Sequence, residues 1–307
     1  MWTISGFADE VADDFAAQLE FLNQRGIRFT ELRSAWGVRV CDLNDTQVHR
    51  IKQMLDDSGI AVSALGTDLG KIRLDDDFGA QLDRARRAAD IAWYLETSDV
   101  RGFSFFMDGD DDPQACRDEV IDRIGQLVAI LDEAQIRYLH ENESDVWGAT
   151  PQRCADLASQ MPRLGFGLIL DPANYVQANV RPYSDAYPVV QQATRYVHVK
   201  DAHLSDGTIC VAGEGDGQWP ELLAALKNDG YDGFLSVEPH LARQESFGGF
   251  SGADAWKRAH ESLIRLLSAE SLTTRPAQIF SRISSLVTSR SRWSTRKERS
   301  ANTCGST

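Results

Sequence analysis

Short apolar runs alternate along the chain with longer stretches in which apolar side chains recur every three or four positions. Strand-length runs followed by helix-length periodicity predict repeated β-strand/α-helix units. A first strand near Trp2–Gly6 leads to a helix spaced by Phe15, Leu19 and Leu22 and closed by Gly26. The second strand is Ile27–Leu32. Beyond it, Asp42-Leu43-Asn44-Asp45 predicts the start of a helix through Val48, Ile51 and Leu55 that stops at Gly59. Ile60–Leu65 is a third strand, followed by a loop over Gly66–Lys71 and a helix over about Phe78–Thr97. Val100–Phe105 is the fourth, and the acidic loop Asp108–Asp112 precedes a helix through Val120, Ile124, Val128 and Leu131.

In the second half, four apolar runs each end in a side chain able to bind a metal. Glu141 closes Ile136–Glu141, Asp171 closes Phe166–Asp171, His198 closes Arg195–His198, and Glu238 closes Phe234–Glu238. The spacings of 30, 27 and 40 residues are each one strand-loop-helix unit. A last helix, Ala253 to about Ala269, completes the series. Eight strands alternating with about eight helices imply an all-parallel sheet. A doubly wound sheet alternates too, but polar residues at nearly every strand end favour a closed (β/α)8 TIM barrel. That barrel is expected as one domain over residues 1–269, with the C-terminal strand ends converging on a catalytic face. Side chains alternate along a strand, so Leu139 points with Glu141, Ile169 with Asp171, Tyr196 with His198 and Ser236 with Glu238. If those partners fill the barrel, all four candidates aim into its mouth.

Three carboxylates and one imidazole form a hard, oxygen-rich set for a divalent cation: Mn2+ first, with Co2+, Mg2+ and Zn2+ as alternatives. Glu143 shares the parity of Glu141 and replaces it as ligand if the strand runs two residues longer. Lys200 shares the parity of His198, which would bring an ammonium to a substrate oxyanion. Asn174, three residues after Asp171, is placed for a substrate hydroxyl or for capping the next helix. Arg33 and Lys71, after strands two and three, are rim cations suited to a phosphate or carboxylate, or to structural pairing. Phe103, Phe105 and Phe106 are candidates for a pocket wall or the core, and His203 and His240 for the neighbourhood of the metal or the rim. The glycine-rich Val211–Gly217 is a weak nucleotide signal without a P-loop GK[ST] or a first βα turn around it.

A formal net charge of -14 disfavours nucleic acid as the main partner. The five cysteines form no CxxC pair, as expected of reduced thiols in a cytoplasmic protein. The N-terminus has no signal-peptide pattern, and no apolar stretch reaches the ~18 residues of a membrane span. Composition shifts in the tail, 270–307. Residues 271–307 hold nine Ser, six Thr, seven Lys or Arg and one Glu, so the rest carries about -20. Such a segment buries too little apolar surface to order itself. A disordered appendage is expected; a nucleic-acid or membrane arm and a short amphipathic helix near Ile279–Val287 are the alternatives.

Leu139-His140-Glu141-Asn142-Glu143, Leu170-Asp171-Pro172-Ala173-Asn174, Val197-His198-Val199-Lys200-Asp201 and Ser236-Val237-Glu238-Pro239-His240 together resemble the xylose isomerase-like TIM-barrel superfamily. More narrowly they are similar to its sugar phosphate isomerase/epimerase group, helped by Gly213-Glu214-Gly215 and Gly230-Tyr231-Asp232-Gly233. The resemblance covers about residues 1–268 and implies that Glu141, Asp171, His198 and Glu238 take the metal positions of ketose 3-epimerase-type members. Many such epimerases carry His three residues after the Asp, where this chain has Asn174. The expected activity is metal-assisted proton transfer beside a carbonyl of a sugar or sugar phosphate, through an enediolate. Glu141 and Glu238 would face each other across the substrate, one removing the proton and the other, or a water, returning it. Moving the carbonyl is isomerisation, and inverting the carbon is epimerisation. Dehydration or isomerisation of a cyclic polyol ketone (inosose-type), an apurinic endonuclease-like metallohydrolase and a non-catalytic sugar binder are the alternatives. Relatives that form dimers or tetramers make a homo-oligomer compatible with the resemblance.

Overall fold

The computed structural model describes residues 2–109, 111–245 and 248–269. The tail and the helix weighed at Ile279–Val287 lie outside the described residues. The barrel strands are β1 Thr3–Gly6, β2 Phe29–Leu32, β3 Ala61–Leu69, β4 Asp99–Gly102, β5 Arg137–Glu141, β6 Phe166–Leu170, β7 Thr194–Val199 and β8 Phe234–Val237. They form one parallel sheet in the order β1-β8-β7-β6-β5-β4-β3-β2. Its two edges, β1 and β2, lie against each other, and the Thr30 hydroxyl donates to the Gly6 carbonyl at 3.3 Å. The sheet is thus nearly closed into the expected TIM barrel.

The helices are α1 Phe15–Gln24, α2 Asp45–Ser58, α3 Phe78–Tyr94, α4 Arg117–Glu133, α5 Pro151–Gln160, α6 Pro172–Gln177, α7 Tyr187–Val190, α8 Trp219–Asn228 and α9 Ala253–Ala269. Local chemistry sets their ends. Asn44 caps α2 reciprocally with Gln47, satisfying two donors that the first turn leaves open, and Gly59 ends it at φ 65°. The longer helices bury apolar stripes in the core between helices and sheet, as α2 does with Val48, Ile51 and Leu55. The last helix seals the β1 edge: Trp256 is fully buried, its indole N–H donates to the Phe7 carbonyl at 3.0 Å, and its ring lies over Gly6. Among the described residues, no helix is long and apolar enough to cross a membrane.

Two of the boundaries that moved lie near the strand ends. The third strand continues to Leu69, so residues expected as a loop from Gly66 are strand as far as Leu69. Its pairing with β4 shifts between Leu65↔Val100 and Leu69↔Gly102, and this bulge absorbs the turn-like residues Gly66, Thr67 and Asp68. The fourth strand stops at Gly102 and leaves Phe103–Phe105 outside the ladder. Inside the barrel, Leu139, Ile169 and Tyr196 pack with Ala64 as a cluster separate from the large core between sheet and helices. The residues two positions before Glu141, Asp171 and His198 therefore do fill the lumen.

Candidate metal centre

Glu141 is the last residue of β5, and Asp171 the first after β6. His198 lies within β7 opposite Ser236 of β8, and Glu238 follows that strand. All four are buried, and one ligand atom from each lies within 4.8 Å of all the others. Asp171 is held hard in place. Its Oδ1 accepts from the Asn174 backbone N–H at 2.9 Å, capping α6, while the Asn142 amide brackets its backbone on both sides. Its Oδ2 is left pointing into the cluster.

His198 stands at the centre. Nδ1 is 3.1 Å from Glu141 Oε1, 3.1 Å from Glu238 Oε2 and 3.5 Å from Asp171 Oδ2. Nε2 faces the opposite way and meets Glu31 of β2 at 3.2 Å, with the Ser236 hydroxyl donating to the same carboxylate at 2.7 Å. Cations complete the surround. Arg101 Nη1 reaches Glu141 Oε2 at 3.0 Å and Glu238 Oε1 at 3.2 Å. Lys200 Nζ is 2.9 Å from both Asp171 Oδ2 and Glu238 Oε2, and Arg33 Nη1 is 3.6 Å from Glu238 Oε1.

These contacts set the charge states. Burial works against an ionised Glu141, but His198 and Arg101 outweigh it and hold the carboxyl well below the usual range. Burial likewise opposes ionisation of Glu238, and Lys200, His198 and His240 overcome it. Burial would depress His198, yet Glu141, Glu31 and Glu238 hold it well above the ordinary imidazole value. Lys200 is raised in the same way by Asp171 and Glu238 against the effect of burial. Glu141 and Glu238 are ionised at neutral pH.

The donor set fits a divalent cation. Asp171 Oδ2 is buried, has no aligned hydrogen-bond donor and shares the centre with Glu141, Glu238 and His198, a set of buried donor atoms within 4.8 Å of one another that a divalent cation can bridge. In neutral His198, Nε2–H can donate to Glu31, which leaves the Nδ1 lone pair facing the three carboxylates; metal-binding imidazoles are oriented this way. Oxygen-rich sets with one imidazole suit Mg2+, Mn2+, Co2+ and Zn2+.

The other residues singled out fall into separate places. Glu143 lies beyond the end of β5 and turns to Lys71, 2.8 Å away, outside the cluster. The Asn174 side chain donates to Glu141 Oε1 at 3.1 Å and to the Asn142 carbonyl at 2.8 Å, orienting a ligand carboxylate. Arg33 pairs with Asp9 at 2.8 Å. His240 joins the periphery, 3.4 Å from Glu238 and 3.3 Å from Glu10, whereas His203 sits on the short hairpin after β7. Phe103 stacks beneath Lys71 and Arg101, while Phe105 packs in the core against Phe78. The glycine-rich segment wraps Asp201, whose carboxylate accepts from the N–H groups of Gly213, Gly215 and Gly217 at 2.9, 3.1 and 2.7 Å. Its glycines serve an internal acid. Glu31 and Arg101 were not among the candidates; the available signal was a charged residue inside an apolar strand, at Thr30-Glu31-Leu32 and Val100-Arg101-Gly102.

Eight parallel strands bearing four metal-competent side chains at their C-terminal ends define a (β/α)8 barrel with a candidate divalent-cation site. A family model described as xylose isomerase-like TIM barrel matches residues 19–266, and the chain belongs to that family. No curated protein matches the chain. Among solved structures, a D-tagatose 3-epimerase-like protein superposes with a TM-score of 0.72 at 15% identity, covering 88% of this chain and 98% of that one. The IOLI protein with a bound zinc atom gives 0.72 at 16% identity, covering 87% and 99%. The probable 3-DHS dehydratase AsbF from Bacillus anthracis gives 0.68 at 17% identity, covering 86% and 98%. At these identities the likeness is one of fold.

Proposed function

We propose that the protein is a divalent-metal-dependent isomerase or epimerase of a sugar or sugar phosphate. The observation that carries this reading is the convergence of Glu141 and Glu238 on one side of His198, each 3.1 Å from Nδ1, with Asp171 beside them. Glu141, Asp171, His198 and Glu238 would hold the cation, Mn2+ first. Bound there, a divalent cation supplies Lewis acidity toward a substrate carbonyl and its neighbouring hydroxyl. The protein supplies the rest. Glu141 and Glu238 are ionised and come from strand ends three units apart, so a substrate between them meets a carboxylate on either side. One accepts the proton beside the carbonyl and gives it back, while delivery to the opposite face draws a proton from water or from the Lys200 ammonium, 2.9 Å from Glu238. Return to the neighbouring carbon isomerises the substrate; return to the opposite face of the same carbon epimerises it. Asn174 keeps Glu141 in register, and burial of all four residues keeps bulk water out.

Lys200 supports a second reading. Its ammonium is 2.9 Å from Glu238, so proton abstraction beside a ketone can be followed by protonation of a departing β-hydroxyl, releasing water and leaving an unsaturated ketone. That is dehydration of a cyclic polyol ketone.

Elemental analysis of the wild type beside Glu141→Ala and His198→Ala tests the centre. About one metal per chain, lost in both variants, supports it; no metal even after reconstitution sinks it. Incubating ketoses and inososes in deuterated water then separates the chemistries. Solvent deuterium at the carbon beside the carbonyl marks isomerisation or epimerisation, and a new enone absorbance marks dehydration.

A further inference from the structure

The barrel lumen is apolar where Ala64, Leu139 and Ile169 meet the Tyr196 ring, the packing usual for such a core. A line of hydroxyls crosses it. The Ser5 and Ser63 oxygens are 2.6 Å apart, and Ser63 lies 2.8 Å from the Tyr196 hydroxyl. Tyr196 also hydrogen-bonds with Ser236, whose hydroxyl donates to Glu31 at 2.7 Å. All five side chains are buried, and they come from β1, β3, β7, β8 and β2. Apolar side chains of similar size would fill the same space without the cost of burying a hydroxyl. Among the described residues, Glu31 bonds to His198 and Ser236 and forms no ion pair with lysine or arginine.

Each hydroxyl carries one proton, so the direction of the line can be counted. Ser236 commits its proton to Glu31, and Tyr196 is therefore the donor to Ser236. Tyr196 in turn accepts from Ser63; the Thr30 carbonyl competes for that proton from 3.1 Å, a longer contact. Ser5 donates to Ser63. Every proton then points toward the carboxylate, and a chain of this kind strengthens its last bond.

We propose that this chain is a positioning device for the metal centre, with Ser236 and Tyr196 as its positioning residues. It locks the Glu31 carboxylate against Nε2 of His198, so that Nδ1 stays aimed at Glu141, Asp171 and Glu238. The inference rests on the metal-centre reading above and adds selectivity to it. Imidazole suits Zn2+ and carboxylate suits Mg2+, so a fixed imidazole raises Zn2+ affinity more than Mg2+ affinity.

Ser236→Ala, Tyr196→Phe and Ser63→Ala, each titrated with Zn2+ and with Mg2+, test it. Zn2+ affinity should fall roughly tenfold in Ser236→Ala, which strips a donor from a charged acceptor. The loss should be roughly two- to fivefold in Tyr196→Phe and smallest in Ser63→Ala. Mg2+ affinity should move far less. Equal losses for the two ions overturn the proposal and mark the hydroxyls as packing alone, and so does Zn2+ affinity unchanged in both Ser236→Ala and Tyr196→Phe. Tyr196→Phe keeps the ring that fills the lumen, so it carries the test if Ser236→Ala fails to fold. The metal-free protein gives a second readout. With 15N-labelled histidine, the Nε2 proton of His198 should exchange slowly with solvent, and faster in Ser236→Ala and Tyr196→Phe. Faster exchange in a protein that takes up no metal defeats the metal-dependent reading alone. Metal bound by the wild type, with exchange and Zn2+ affinity both unchanged in the variants, defeats the chain alone.

Discussion

Glu31 and His198 stand 167 residues apart in the chain and 3.2 Å apart in the barrel, carboxylate against Nε2. The pair decides which imidazole nitrogen faces Glu141, Asp171 and Glu238. A histidine whose far nitrogen is held by a carboxylate presents its near lone pair in a fixed direction, and metal affinity depends on that direction. Glu31→Gln retains the shape and one acceptor but removes the charge. The metal should still bind, with affinity lower by roughly 10–100-fold on titration with Mn2+ or Zn2+. Unchanged affinity would remove the orienting role from Glu31.

Gly102 ends β4 directly beneath the Tyr138 ring, where an added Cβ would land on the ring itself, while the Tyr138 hydroxyl donates to the Phe103 carbonyl at 2.6 Å. Gly102→Ala must push the ring aside or bend the strand. Overpacking of this kind costs about 1–3 kcal/mol. For a domain of this size each kcal/mol lowers the thermal midpoint by about 2–4 °C. A midpoint equal to wild type would show that the ring yields freely.

The three glycine N–H groups around Asp201 are satisfied by one carboxylate. Asp201→Asn replaces an acceptor oxygen with an N–H2 group facing donors. The expected loss is about 1.5–3 kcal/mol, the scale of a single charged hydrogen bond, and more if several fail together. Hydrogen exchange should rise selectively over residues 211–217. Uniform exchange across the barrel would instead point to a global loss of stability.

Burial, and the nearby charge of Arg25, lower His260 from an ordinary 6.5 to about 4. The sign follows from proton counting: between those values the unfolded chain binds a proton that the folded chain does not. This contribution to stability is present in full above about pH 6.5 and is lost as the pH falls through about 4. His140, lowered to about 4 chiefly by burial, adds a slope of the same sign. Thermal midpoints of His260→Gln should therefore fall less steeply over this window than wild type. Parallel curves would mean that His260 does not titrate with folding.

The convergence of Glu141, Asp171, His198 and Glu238 was legible because each closes its own apolar run in the sequence, and strand parity carried them to one face without further information. The Asn44 cap and the Gly59 stop were equally local, and both stand where the chain pattern put them. The extension of β3 was not. Gly66-Thr67-Asp68 reads as turn chemistry, and only the resumed pairing of Leu69 with Gly102 keeps it in the sheet. Glu31 and Arg101 escaped for a related reason. An ion inside a short strand looks like a solvent-facing residue until its counter-ions are known, and those are 40 to 167 positions away. Glu143 shows the reverse case: parity allowed it, and a strand ending at Glu141 handed it to Lys71.

The division between the barrel's halves has an evolutionary side. Glu141, Asp171, His198 and Glu238 all come from the last four strand-helix units, whereas Glu31, Arg33, Lys71 and Arg101 all come from the first four. The half that can grip a metal contributes Lys200 and His240 to its surroundings, but most of the charge around it comes from the other half. Exchange of the N-terminal units between related barrels would carry a different lining to an unchanged set of ligands, offering a route to new substrates that leaves the ligand set intact.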